Sequence, residues 1–351
     1  MHPDPSFWRG RLVAVTGGTG FLGWHIVRRL VGLGARVCAF ALPPRADHPI
    51  RGLRSVELVT GDICDAAAVE QALAGREFVF HAAGVVAVWG RGLAVMEAVH
   101  CQGTANVLAA APPHARIVHT SSMVAVGATR TGEPLDEDSP FPLGRLRVDY
   151  VRTKRASEET ALAAAAAGRD VVVTNPGYLV GPDDPEGSVM GRLCQRFWRG
   201  RVPFAPPGGF NLADVRDVAI GHLLAAERGV AGRRYILGGE DHSLAGFLRM
   251  LAAAAGWRPR AVPTVPSWLV TLAAELSELR ARWTGKEPYP SRQGARLHRY
   301  YWFVRSERAM RELGYDPRPL EATLRDTYGW YWVRGLGRPR GVNRWWLRPA
   351  A

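Results

Sequence analysis

The stretch Thr16-Gly17-Gly18-Thr19-Gly20-Phe21-Leu22-Gly23 (TGGTGFLG) follows an apolar run, Leu12-Val13-Ala14-Val15, and precedes a helix-like segment from His25 to Leu33. It reads as a strand, a glycine turn and a helix start. In that order backbone amides at the helix N-terminus face an anion, and the helix dipole favours negative charge. Gly17, Gly20 and Gly23 stand at spacing G-x-x-G-x-x-G. An absent Cβ there permits a tight turn, close approach of a pyrophosphate and tight packing of helix on strand. In a chain with 39 glycines the spacing alone carries little. Both flanks are correct, so Gly17, Gly20, Phe21, Leu22 and Gly23 are read as a dinucleotide-binding turn.

Working outward, residues 12 to 16 form a first strand, 21 to 33 a helix and Arg36 to Leu42 a second strand. Apolar runs at 55–60, 77–83, 115–120 and 170–175 alternate with helical stretches near 65–75, 93–111 and 149–167. Near-continuous apolar strands alternating with helices imply a parallel sheet covered on both faces. The expected fold is α/β, a doubly wound Rossmann sheet that binds its ligand at the carboxyl ends of the strands.

A carboxylate at the end of the second strand would bind ribose hydroxyls, whereas a basic residue would favour a 2′-phosphate. The chain has Ala41-Leu42-Pro43-Pro44-Arg45, with no acid until Asp47. Arg45 therefore leans the reading to NADP over NAD. Asp62-Ile63 after the third strand and Ala82 after the fourth sit where loops meet a dinucleotide. Asp62 reads equally as the cap of a helix beginning near Ala66.

The strand from Arg116 to Thr120 ends in Ser121-Ser122, and Tyr150-Val151-Arg152-Thr153-Lys154 follows in a helical stretch. Positions i and i+4 share a helix face, which brings phenol and ammonium side by side. The chain holds only two lysines, Lys154 and Lys286. An adjacent ammonium favours the charged form of a phenol and is expected to lower its pKa. Tyr150 would then exchange a proton, with Ser122 holding a substrate oxygen as charge develops on it.

The glycine turn, the Ser122 strand end and Tyr150-x-x-x-Lys154 together resemble the extended short-chain dehydrogenase/reductase superfamily. Within it they look most like the branch of 3β-hydroxysteroid dehydrogenases, dihydroflavonol reductases and hopanoid-associated sugar epimerases. The resemblance implies Ser122, Tyr150 and Lys154 as catalytic residues, with Lys154 also on the cofactor ribose and Ser122 preferred to Ser121. It implies further that Pro176, within Asn175-Pro176-Gly177-Tyr178, lies across the nicotinamide. His100 stands where the family usually has Asn and Leu42 where this branch often has Arg. His100 is left open between a proton-relay and a structural role.

The same resemblance divides the chain into a core over 10–178, rejoined by 209–238, and a substrate-covering lobe over 179–208 and 239–332. Val85, Trp89 and Tyr178 are candidate substrate contacts. A homodimer through helices beside Tyr150 is a further implication.

The formal charge of +13 is carried almost wholly by dispersed Arg, and no nucleic-acid-binding motif accompanies it, so nucleic acid is not the expected partner. The partner is a small-molecule substrate. Cys38, Cys64, Cys101 and Cys194 have no metal-ligand spacing, which points to free thiols, no metal and a cytoplasmic location. Two segments offer peripheral membrane contact. One is the helix over 263–283, read mainly as a lobe helix. The other is the basic, Trp-rich tail over 333–351, read mainly as docked on the body.

Two reactions fit these groups: net hydride transfer between a nicotinamide and a secondary alcohol or ketone on an apolar substrate, and nucleotide-sugar epimerisation or dehydration with NAD held tightly. A non-catalytic dinucleotide-binding or membrane-associated scaffold is a third reading, opposed by the intact Ser122, Tyr150 and Lys154.

Overall fold

The computed structural model describes residues 2–87, 89–144, 146–184, 187–202, 204–259, 262–336 and 347–349. Thirteen strands and thirteen α-helices lie within them. The first six strands are β1 (Leu12–Thr16), β2 (Arg36–Ala41), β3 (Val56–Thr60), β4 (Phe78–His81), β5 (Arg116–Thr120) and β6 (Val171–Pro176). They are followed by β7 (Tyr178–Val180), β8 (Gly209–Asp214), β9 (Arg234–Leu237), β10 (Glu240–Ser243), β11 (Trp257–Pro259), β12 (Tyr301–Trp302) and β13 (Leu347–Pro349).

The helices are α1 (Pro5–Trp8), α2 (Phe21–Gly32), α3 (Ala66–Leu73), α4 (Gly92–Glu97), α5 (Gly103–Ala110), α6 (Met123–Val126) and α7 (Asp149–Ala166). Then come α8 (Val189–Trp198), α9 (Val215–Arg228), α10 (Leu244–Ala254), α11 (Ser267–Thr284), α12 (Arg292–Leu297) and α13 (Leu320–Val333).

Seven strands form the main sheet in the order β3-β2-β1-β4-β5-β6-β9, parallel throughout. Strand order reverses between β1 and β4, which opens a crevice at their carboxyl ends. Buried runs such as Val13-Ala14-Val15 and Val171-Val172-Val173 serve both faces at once, because alternate side chains point to opposite sides. Ile26, Leu30, Val218 and Leu223 cover one face from α2 and α9. Val69, Leu73, Val107 and Ala161 cover the other from α3, α5 and α7. The doubly wound α/β reading holds, and β2 stops at Ala41, one residue short of the expected end.

The expected helix over 93–111 is one helical path with a π turn, Ala98–Gln102, between α4 and α5. A π turn inserts one residue and redirects the side chains around it. His100 lies in it, fully buried.

A second sheet joins β7, β8, β10 and β12, and a separate core of Trp198, Phe247, Leu251, Leu324 and Tyr331 packs α8, α10 and α13 together. The expected helix over 263–283 is α11, which packs beside α12 through a narrow face. Its buried positions are Ala274, Glu278 and Ala281, while its large apolar residues face outward. Of the tail, 337–346 and 350–351 lie outside the described residues. Leu347–Pro349 pairs antiparallel with Trp257–Pro259.

Candidate active site

The glycine turn is fixed by its neighbours' backbones. Gly17 has φ +68°, and a Cβ there would lie 2.8 Å from Ala83 N and Cα at the end of β4. A Cβ on Gly23 would fall 2.1 Å from the Gly17 carbonyl oxygen, so α2 packs onto the turn only with glycine at that position. The turn closes through Gly20 N donating to Gly17 O at 2.8 Å and Gly17 N to Phe40 O at 2.7 Å. His48 accepts Ile50 N–H at Nδ1, so its Nε2–H donates to Thr19 O at 3.0 Å and pins the turn from outside. No side chain caps α2, and its first-turn amides stay available to an anion.

Ser122 caps α6 at the end of β5, its Oγ accepting from Val124 N at 3.3 Å. Tyr150 and Lys154 stand one turn apart in α7. Lys154 is buried, and its Nζ donates to Thr120 O at 3.0 Å. Burial lowers its pKa to about 8, against Glu158 one turn on, which raises it. A Cβ on Gly84 would lie 3.5 Å from both Lys154 Nζ and His100 Nε2, so the loop leaving β4 runs over these two groups.

Burial also raises the Tyr150 phenol above its ordinary value, and a hydrogen bond with Ser122 opposes this. The expectation of a lowered phenol pKa is therefore overturned. Withdrawal of the phenol from water dominates, although the Lys154 ammonium stands one turn away in α7.

His100 is tied at both ring nitrogens. Val85 N–H donates to its Nε2 at 3.4 Å, which leaves Nδ1–H to donate to Thr153 Oγ1 at 2.9 Å. Thr153 Oγ1–H in turn donates to the Tyr150 backbone carbonyl at 3.3 Å. Burial, with Lys154 nearby, lowers the His100 pKa to about 2 and keeps the ring neutral. His100 thus links the β4 loop to α7 in a single tautomer. A second network supports Ser122. Asn175 Nδ2 donates to Ser122 O at 3.0 Å and to Glu158 Oε2 at 2.5 Å, and Glu158 Oε1 takes Arg234 at 3.0 Å.

The remaining candidates divide. Ile63 is buried against Gly103, and Asn106 Nδ2 donates to its carbonyl at 3.0 Å. Asp62 is not the helix cap: its Oδ1 accepts from Cys64 N at 2.9 Å, and Asp65 caps α3 through Ala67 N and Ala68 N. Ala82 N donates to Thr16 O at 3.2 Å beside the glycine turn. Pro176 ends β6 in register with Leu237. Tyr178 packs edge-on against Phe210 at 5.1 Å and lies near enough to Tyr150 to raise its own pKa further. Val85 is exposed, Trp89 is half-buried and Val88 lies outside the described residues. Arg45 is exposed and pairs with Asp47 at 3.2 Å in its own loop. Thr153, Glu158, Asn175 and His48 were not singled out from sequence.

These residues fit a dinucleotide: an uncapped helix N-terminus over a turn that excludes Cβ atoms, with a buried ammonium at the neighbouring strand end. With the Rossmann strand order, they define an NAD(P)-dependent enzyme of the oxidoreductase class.

The chain belongs to the NAD-dependent epimerase/dehydratase family, whose profile matches residues 13–238. It is 34% identical over 92% of its length to a Synechocystis protein provisionally named dihydroflavonol 4-reductase, covering 94% of that protein. A sterol demethylase protein B from Methylococcus capsulatus is 33% identical over 92% of this chain and 98% of its own. A 2-alkyl-3-oxoalkanoate reductase from Stenotrophomonas maltophilia is 32% identical over 89% of this chain and 97% of its own.

Proposed function

We propose that this enzyme reduces a ketone on an apolar substrate to a secondary alcohol, or runs the reverse oxidation, with NADP(H) exchanged at each turnover. The observation that carries this is the Tyr150 phenol. It lies beside Ser122, one turn from Lys154 in α7, and like any phenol it is protonated at neutral pH, a form that burial favours further. A protonated phenol at that position is a donor ready for a developing alkoxide.

Held at the Gly17–Gly23 turn, NAD(P)H would supply a hydride to a carbonyl carbon. As the carbonyl electron pair moves onto oxygen, Ser122 holds that oxygen and Tyr150 transfers its proton to it, giving the alcohol. The resulting phenolate is stabilised by the Lys154 ammonium one turn away and regains a proton from water. His100 and Thr153 keep α7 and the β4 loop in register, and Asn175 holds the Ser122 carbonyl.

The apolar substrate is supported by exposed Val85 and Val86 on the loop above Lys154. The sterol and alkyl-chain names of two relatives add to this. The NADP preference rests on Arg45 after β2. Its partner Asp47 is 76% exposed, so their pairing is weak and a 2′-phosphate competes for the guanidinium.

Turnover with NADPH and an apolar ketone tests the reading. The rate should fall as pH rises through about 8, where Lys154 loses its proton. Arg45→Ala should weaken NADPH binding and leave NADH binding unchanged. NAD retained stoichiometrically, with no net oxidation of added NADPH, would instead favour epimerisation or dehydration, which the family also contains.

A further inference from the structure

The helix α11 carries its apolar residues on the wrong side for a helix that packs by burial. Toward the body it presents Ala274, Glu278 and Ala281. Away from it stand Trp268, Leu272, Leu276, Leu279 and Trp283, exposed by 64, 50, 60, 52 and 86%. Their spacing of four, four, three and four residues keeps all five on one stripe, with a Trp at each end. The Thr271 and Thr284 hydroxyls donate to carbonyls one turn back.

The helix's charges are sorted as well. Both of its acids turn to Arg292: Glu275 in a close ion pair, and Glu278 at 3.2 Å from Nε and 2.8 Å from the backbone N–H. Arg280, Arg282 and Lys286 are then left exposed at the C-terminal end with no ion-pair partner among the described residues, against the single acid Glu287. The stripe is also tied to the active site. Arg292 opens α12, where Gln293 exchanges hydrogen bonds of 3.0 and 2.9 Å with Asp149, the residue before Tyr150.

We propose that the α11 stripe docks the enzyme on an anionic phospholipid bilayer, with the helix lying in the plane of the interface. The three leucines would enter the acyl boundary, the two tryptophans would sit at headgroup level, and Arg280, Arg282 and Lys286 would meet lipid phosphates. Among the described residues no helix is long and apolar enough to cross a membrane, so the contact is peripheral. A second copy would set a chain of formal charge +13 against itself. Anionic lipid answers both the apolar stripe and the charge. The docking does not depend on the reaction assigned above.

The test is co-sedimentation of the full chain with vesicles of phosphatidylcholine alone or with added phosphatidylglycerol. Binding to the anionic vesicles is expected, weakened by salt. Leu272→Glu with Leu276→Glu should lower it more than about tenfold, since each buried leucine is worth roughly that factor. Trp283→Ala, the gentler change, and Arg280→Gln with Arg282→Gln should each lower it several-fold. All variants should keep nucleotide affinity and turnover of a water-soluble ketone, which shows that they are folded. Tyr150→Phe should bind vesicles like the unaltered chain, so loss of catalysis and loss of docking are separable. No binding to either vesicle, equal binding to both, or a soluble dimer that Leu272→Glu dissociates would overturn the proposal.

Discussion

Two helices of eighteen residues, α7 and α11, invert the usual rule in opposite ways. The first buries Thr153, Lys154, Ser157 and Glu158. The second exposes three leucines and two tryptophans along one stripe. Burying charge costs several kcal/mol unless each group is paired, and in α7 it is: Lys154 has the Thr120 carbonyl, and Glu158 has Asn175 and Arg234. Exposing a wide apolar stripe gains nothing for folding. Local propensity explains neither helix. By our proposals each departs from the rule where the molecule meets something other than itself, a reacting oxygen for α7 and a lipid surface for α11.

The comparison breaks first at Tyr150. If the polar side of α7 serves chemistry, Tyr150→Phe lowers kcat about 10²–10⁴-fold, the span of lost proton transfer, while the nucleotide dissociation constant stays put. A structural helix would show the reverse, with little kinetic change and altered stability.

Next comes the buried network. Glu158→Leu takes the shared carboxylate from Arg234 and the Asn175 amide, which keep only the Glu137 and Ser122 carbonyls, and denaturant unfolding should show a loss of about 3–5 kcal/mol. Leu276→Glu on the α11 stripe should change stability by only about 0.5 kcal/mol. A similar loss at both sites would mean that α11 packs against something the chain itself provides.

Acid sharpens the contrast further. His25 and His222 are held near pKa 4, His81 near 3 and His100 near 2, mainly by burial. The unfolded chain takes up protons near 6.5 while the folded chain does not. Stability therefore falls as pH drops from about 6.5 toward 4 and is restored above it. A melting temperature flat across that window would contradict the buried, neutral assignment.

Within the α7 network a smaller effect than at Glu158 is expected at Thr153→Val. It keeps the side-chain shape but leaves His100 Nδ1–H without its acceptor, a cost of about 1–3 kcal/mol. The kinetic change should be modest, since Thr153 positions rather than reacts.

The sheet and the glycine turn were legible because they make demands that only certain residue types meet. No side chain can replace Gly17 against Ala83, or Gly23 against Gly17, and long apolar strands separated by helices pack in few ways. The Tyr150 and Lys154 pair was visible for the same reason, as two residues on one helix face. The supporting network was not, because its partners are distant in sequence: Glu158 and Asn175 are 17 apart, and Glu158 and Arg234 are 76 apart. Asp62 was left even between a dinucleotide-loop residue and a helix cap, because Asp65, three residues on, offers the same capping pattern and is the residue that caps α3. The direction of the Tyr150 shift was misread because spacing shows that an ammonium is near but not how deeply the phenol is buried. In α11 the period revealed an apolar stripe, and only tertiary packing revealed which way it faces.

The most direct test of the account is a single-turnover experiment. The enzyme would be loaded with NADPH, mixed with an apolar ketone and followed for nucleotide oxidation and release, with Tyr150→Phe in parallel after its nucleotide affinity is matched. The account predicts one oxidised nucleotide per site, released to solution, and oxidation slowed about 10²–10⁴-fold in Tyr150→Phe. Oxidation at an unchanged rate in Tyr150→Phe would contradict the assigned proton donor. Nucleotide that stays bound and reduced beside every ketone tried would contradict the reductase.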